Sequence, residues 1–135
     1  MSEWSFRDYL DARGGNPIRA WLDSLPKAAQ AKIDARLLIL EGIDVWPPQY
    51  ISALKGCDDI YELRIVHSGV QYRPLGCYGP GQREFTLLLG VVEKGHLPPM
   101  AYRTAQQRRK IILADRRRTR EHQYAAQPDS GEGAQ

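Results

Sequence analysis

The sequence predicts an α+β domain with the element order β-α-α-β-β-β-α: an antiparallel sheet packed against a helical hairpin, with a C-terminal helix. Three observations carry this. Two apolar stripes at helical spacing lie between Asn16-Pro17 and Gly42, almost touching at Pro26. Three alternating segments, 60–67, 70–78 and 85–93, are separated only by short turns. A basic helical stretch follows Pro98-Pro99. Helices grouped together and followed by strands in quick succession belong to a segregated architecture, not a doubly wound one.

Each element has a local reason. Residues 4–10 alternate apolar and polar with aromatics, a strand pattern. Asn16 is a favoured N-cap, and Pro17 fits the first helical position, where its missing N–H has no intrahelical partner. Ile18, Trp21, Leu22 and Leu25 form one stripe; Ala29, Ile33, Leu37 and Leu40 form the next, with Lys32, Asp34 and Arg36 expected to point elsewhere. Gly42 is expected to stop the second helix in a left-handed conformation. Residues 43–59 read as a loop. In the following strand Tyr61, Leu63 and Ile65 share one face, and Glu62, Arg64 and Val66 the other. Ser68-Gly69 suits a two-residue hairpin turn. Pro74 cannot donate to a ladder, so an edge or a bulge is expected there. Strict alternation in the last strand sets Phe85, Leu87, Leu89 and Val91 against Thr86, Leu88, Gly90 and Val92. A final helix is expected over 100–118. From Glu121 the composition is too polar to bury itself, so residues 1–120 are expected to form one domain and 121–135 a flexible tail.

At 135 residues, with 42% apolar and 26% charged side chains, the chain suits one globular domain with a core of its own. No apolar run approaches the roughly 20 residues that span a bilayer, so no membrane partner is expected. Met1-Ser2-Glu3-Trp4 lacks the basic start and apolar stretch of a secretory leader, and the expected address is the cytoplasm. Cys57 and Cys77 have no neighbours at zinc spacing and read as reduced thiols. There is no phosphate-binding glycine loop and no nucleophile elbow; neither metal nor cofactor is expected. Net charge is +3, unevenly spread: residues 1–62 hold seven bases and ten acids, residues 63–135 twelve bases and six acids. The second part alone is +6, which hints at a polyanionic partner.

In order along the chain stand the hairpin entered by Asn16-Pro17 and closed by Leu40-Glu41-Gly42, then Leu54-Lys55-Gly56, Tyr61-Glu62-Leu63-Arg64, Tyr72-Arg73, Leu87-Leu88-Leu89-Gly90, Glu93-Lys94-Gly95, and the basic helix. This ordered set, over residues 3–115, resembles the RelE/ParE toxin superfamily, in its HigB-like, phage-associated branch. The chain departs from the pattern at Pro74, where a β-branched residue is usual, and at Val91, where an aromatic often stands. The resemblance implies a toxin of a type II toxin–antitoxin system, a cognate helix-turn-helix antitoxin, and cleavage of mRNA on the ribosome without a metal. It also admits a non-enzymatic gyrase poison of the ParE kind, or an inactive relative that only binds its antitoxin.

Metal-free RNA cleavage uses the ribose 2′-hydroxyl as nucleophile. It needs a base for that hydroxyl, cations for the charge growing on the phosphate, and an acid for the leaving oxygen. Arg64 and Arg73, on consecutive strands, suit the phosphate role, since guanidinium binds phosphate oxygens bidentately. Lys55 and Lys94 are expected to line the same cleft as phosphate ligands, or one of them as a base with a lowered pKa. Glu93, His96 and Glu62 are the candidate acid and base, with Glu62 equally able to pair with an arginine, and Tyr102 could stack on a base or serve the core. Arg108, Arg109 and Lys110, with Arg116, Arg117 and Arg118, would bind RNA backbone or form a solvated helix face. Retention of Lys55, Arg64, Arg73 and Lys94 together favours the endoribonuclease over the gyrase poison.

Overall fold

The computed structural model describes residues 3–124. Its elements are β1 (Ser5–Tyr9), α1 (Pro17–Asp23), α2 (Lys27–Glu41), β2 (Ile51–Ala53), β3 (Tyr61–Leu63), β4 (Ile65–His67), β5 (Val70–Tyr78), β6 (Glu84–Glu93), α3 (Pro99–Ala114) and β7 (Thr119–Glu121). One sheet runs β2-β3-β5-β6-β1-β7, with β4 pairing beside β3 on β5. The α+β class holds and the sheet is mostly antiparallel. The exception is β1, which runs parallel to β6, because the α1–α2 hairpin carries the chain across one face before the meander begins. The expected 43–59 loop contains β2, antiparallel to β3.

The signals at the start of α1 act as read. Asn16 accepts from the Arg19 amide at 2.9 Å, and Pro17 sits at the first turn of α1. Gly42 ends α2, but at φ −92° it is not left-handed; its N–H simply closes on the Ile39 carbonyl. Ser68 and Gly69 both take positive φ, 51° and 76°, and close the β4–β5 hairpin as a primed turn requires. The last helix stops at Ala114, earlier than the expected 118. There Asp115 leaves the helical region and its carboxylate caps the Arg117 amide, leaving residues Arg116–Arg118 as one 3-10 turn.

The irregularity expected at Pro74 is present, and a second one, not expected, lies in β6. The β5 register pairs Glu62 with Leu75 and Ile65 with Tyr72. Between these the ladder lapses, at the positions opposite Pro74 and Arg73. The missing proline donor thus meets the break between β3 and β4. On its other side, β5 pairs Leu75 with Leu89 but Gly76 with Leu87. Leu88 is therefore the extra residue of a bulge, and strict alternation in β6 fails there. Phe85 and Leu87 enter one core cluster with Ile18, Leu22, Ile33, Leu37 and Leu40 from the hairpin; Leu88 and Val91 enter the other, with Ala101, Ala105 and Ile112 of α3. Helices thus cover both faces of the sheet.

The domain boundary expected at Glu121 is too early. Glu121 pairs with Arg7 in β7, and His122 is buried. Its Nδ1 lies 2.8 Å from Asp8 Oδ1 and its Nε2 3.1 Å from Asp34 Oδ1. Asp34, expected to point away from the α2 stripe, is buried for this reason. Tyr124 packs edge-on to His122 and donates to Glu41 Oε2 at 3.0 Å. Residues 125–135 of the expected tail lie outside the described residues. No helix among the described residues is long and apolar enough to cross a membrane.

Candidate active site

The bulge at Leu88 decides which end residues of β6 reach the α3 side of the sheet. Beyond it Val91 faces that side, so Glu93, two residues on, faces it too. Arg73 opposes Val91, and continuing the β5 register across the β3–β4 break sets Arg64 opposite Arg73. At this corner lies a cleft of about 270 Å³ whose lining includes Lys55, Glu62, Arg64, Glu93, His96 and Tyr102. Lys55 comes from the β2–β3 loop, Arg64 from the strand break, His96 from the loop after β6, and Tyr102 from the first turns of α3, where it also leans on the core.

The corner is fixed by backbone as well as side chains. The Arg64 amide donates to the Tyr50 carbonyl at 2.9 Å, and its guanidinium to Ser52 Oγ at 2.8 Å. Arg36 of α2 donates to the Arg64 carbonyl at 3.0 Å and stacks 4.2 Å from the Tyr50 ring. Arg73 sits deeper, its side chain 12% exposed. Its Nε approaches Glu93 Oε1 to 2.9 Å and its Nη1 approaches Glu62 Oε2 to 3.5 Å; Gln71 is its third partner. The Nε contact is an ion pair out of hydrogen-bond alignment. Arg73 therefore tethers two carboxylates at the cleft and does not present an open fork. By contrast, Lys55 and Arg64 have no carboxylate at ion-pair distance among the described residues.

Lys94 does not join them. It is exposed beyond the end of β6 and absent from the cleft lining, because it keeps phase with Gly90 and Val92, on the opposite side from Glu93.

Nor does the C-terminal basic cluster form one free face. Leu88, the bulged residue, has a carbonyl outside the regular ladder, and Arg108 Nη1 donates to it at 2.7 Å while stacking 4.7 Å from the Tyr9 ring. Burial lowers the Arg108 pKa, against the raising effect of Tyr9 and Asp11. Arg109 pairs with Asp59, Arg116 with Glu84 and Arg117 with Asp115. Arg118 bonds the Leu10 carbonyl and Tyr9 hydroxyl. Lys110 is exposed, beside Arg109. Lys32, Arg36, Lys55 and Arg64, around the corner of the cleft, make no ion pair among the described residues. Composition alone gave no way to see which arginines were already taken.

Among the described residues no cluster of His, Cys, Asp and Glu has the makings of a metal site. Cys77 is buried, which pushes its thiol up to about 12; Cys57 is half-buried and also raised, by burial and by Asp58.

The family model described as phage-derived protein Gp49-like (DUF891) matches residues 20–117, a span that holds α2, the whole meander, α3 and every residue of the cleft. No curated protein matches the chain.

Proposed function

This chain belongs to the Gp49-like family of phage-derived proteins, a family of the RelE/HigB toxin type, and on that premise we propose that it is a toxin that inhibits translation by metal-independent cleavage of mRNA on the ribosome. The observation that supports this reading is the convergence of Lys55, Arg64, Glu93 and His96, from four separate segments, on one cleft.

In this reading Arg64 and Lys55 hold the non-bridging oxygens of the scissile phosphate. Glu93, oriented by Arg73, accepts the 2′-hydroxyl proton as that oxygen attacks phosphorus. The bond from phosphorus to the 5′-oxygen breaks, and His96, as imidazolium, donates its proton to the leaving oxygen. The products are a 2′,3′-cyclic phosphate and a 5′-hydroxyl. Tyr102 offers its ring to a nucleobase. The cell's protection is a cognate antitoxin of helix-turn-helix type, which covers this cleft or shifts α3.

The test is induced expression, followed by mapping of RNA ends in a translating extract. Codon-phased cuts in mRNA are expected, and Arg64→Ala or Lys55→Ala should reduce cutting by ~10²–10³, the cost of deleting one donor to a developing oxyanion. Intact mRNA with blocked DNA supercoiling would replace this reading by a gyrase poison; unimpaired growth and translation would leave only an antitoxin-binding relative.

A further inference from the structure

Beside the cleft lies a second groove, of about 320 Å³, whose lining includes Lys32, Arg36, Tyr50, Arg64, Gln71 and Arg73. The two share Arg64 and differ in charge. The cleft has two carboxylates, Glu62 and Glu93, among its lining residues; the groove has four cations and none. Arg73 is compensated from behind by Glu62 and Glu93. Lys32, Arg36 and Arg64 are not: the two arginines spend hydrogen bonds on a carbonyl and a hydroxyl, and Lys32 stands exposed on α2. Arg36 is held by Tyr50 and by the Arg64 carbonyl, so its charge is fixed in place before anything binds. A fixed, uncompensated guanidinium beside an exposed ammonium is suited to a phosphodiester.

We infer that this groove is a second RNA-backbone site, in which Lys32 and Arg36 bind a phosphodiester next to the one held at Arg64 in the cleft. The inference rests on the RNA-cleaving reading of that cleft. A strand lying over Arg64 passes from the acid–base cleft into the cationic groove, so the protein grips an extended single strand and not an isolated linkage. The phosphodiester belongs either to the cleaved strand or to ribosomal RNA lying beside it.

The test measures binding of the full-length protein to 2′-O-methyl RNA, which cannot be cleaved, as a dinucleotide and as a hexanucleotide, across a salt series. Lys32→Glu is the informative variant, because Lys32 makes no ion pair among the described residues. For the hexanucleotide it should lower affinity by roughly tenfold and reduce the salt slope by about 0.7, the share of one phosphate contact on a single strand. The dinucleotide, occupying only the cleft, should lose less than about twofold. Loss of affinity for vacant ribosomes with the hexanucleotide unaffected would also support the site and assign its phosphate to ribosomal RNA. Unchanged binding of Lys32→Glu to both the hexanucleotide and ribosomes overturns the inference while leaving the cleft untouched. So does a Lys32-dependent affinity confined to a polyglutamate peptide, which would make the groove a protein-docking site. Failure of the unaltered protein to bind RNA or ribosomes at all would sink the cleavage reading itself.

Discussion

The guanidinium of Arg108 caps the carbonyl of Leu88, 2.7 Å away, and so satisfies the one residue that the β6 bulge pushes out of register. Leu88 is fully buried, so without this donor its carbonyl has no water to turn to. Arg108→Met keeps the aliphatic stem but removes the donor. A loss of about 1–3 kcal/mol in unfolding free energy is expected, the cost of a buried acceptor left unpaired. Urea denaturation checks this. RNA affinity should not change; a variant of wild-type stability with weakened RNA binding would return Arg108 to the surface cluster.

His122 gives the fold a dependence on alkaline pH. Burial alone would pull the imidazole down, but hydrogen bonds to Asp34 and Asp8, with their charges, raise it to about 9 from 6.5. Tyr124 and, through it, Glu41 complete its surroundings. A raised basic group contributes stability that is complete below pH 6.5 and is lost as pH climbs through about 9. A contribution on the order of 3 kcal/mol should therefore fade over this window. Because Cys77 also titrates at high pH, the measurement is the difference between the protein and His122→Gln. That difference should shrink steadily from pH 6.5 to 9.5. At pH 6.5 the variant should be less stable by about 3–5 kcal/mol, with two carboxylates buried without their cation. A constant difference across the range would show that the imidazole stays neutral.

Gly90 and Trp21 fix how α1 sits on β6. A Cβ built on Gly90 would lie 1.9 Å from Trp21 Cδ2, so the indole rests flat on the strand backbone. Gly90→Ala should cost about 1–3 kcal/mol by overpacking. Trp21→Leu in the same chain should recover part of it, giving a coupling energy above about 0.5 kcal/mol. Additive losses in thermal melts would mean that the two positions are independent.

Local chemistry in the sequence accounts for most of the fold. Asn16-Pro17, Pro26, Ser68-Gly69 and Pro74 each act within a few residues, and each has the effect its side chain dictates. Lys55, Arg64, Glu93 and His96 were legible as candidates for a similar reason: they stand at strand ends, a strand break or loops around one corner, with Tyr102 on the first turns of α3 beside them. What could not be read depended on distance. The Leu88 bulge reverses the phase of β6, bringing Glu93 to the cleft and leaving Lys94 out, and nothing in Leu87-Leu88-Leu89 marks it. Arg108 looked like a surface cation because its partner is a carbonyl, which leaves no trace in sequence. His122 lay in a polar stretch with no periodicity, and its partners are 88 and 114 residues away. Its only signal was indirect: Asp8 sits within the aromatic first strand and Asp34 adjoins the α2 stripe, and two carboxylates so placed need a cation.

Arg73 decides between two uses of the same charge. If it bound phosphate directly, its guanidinium would have to face the cleft, yet Glu62 and Glu93 already claim it. In the proposed cleavage reading its role is then to hold Glu93 where a 2′-hydroxyl can reach and to separate that carboxylate from Glu62. Arg73→Ala should reduce mRNA cutting by ~10²–10³ in kcat with little change in KM, since an interaction that orients the base matters in the transition state more than in binding. Without the guanidinium, the two carboxylates confront each other, and their repulsion displaces Glu93. Neutralising one of them should relieve this, so Arg73→Ala/Glu62→Gln should recover about tenfold, with circular dichroism confirming a native fold in both variants. A direct phosphate ligand gives another pattern: KM rises in the single variant, and Glu62→Gln restores nothing.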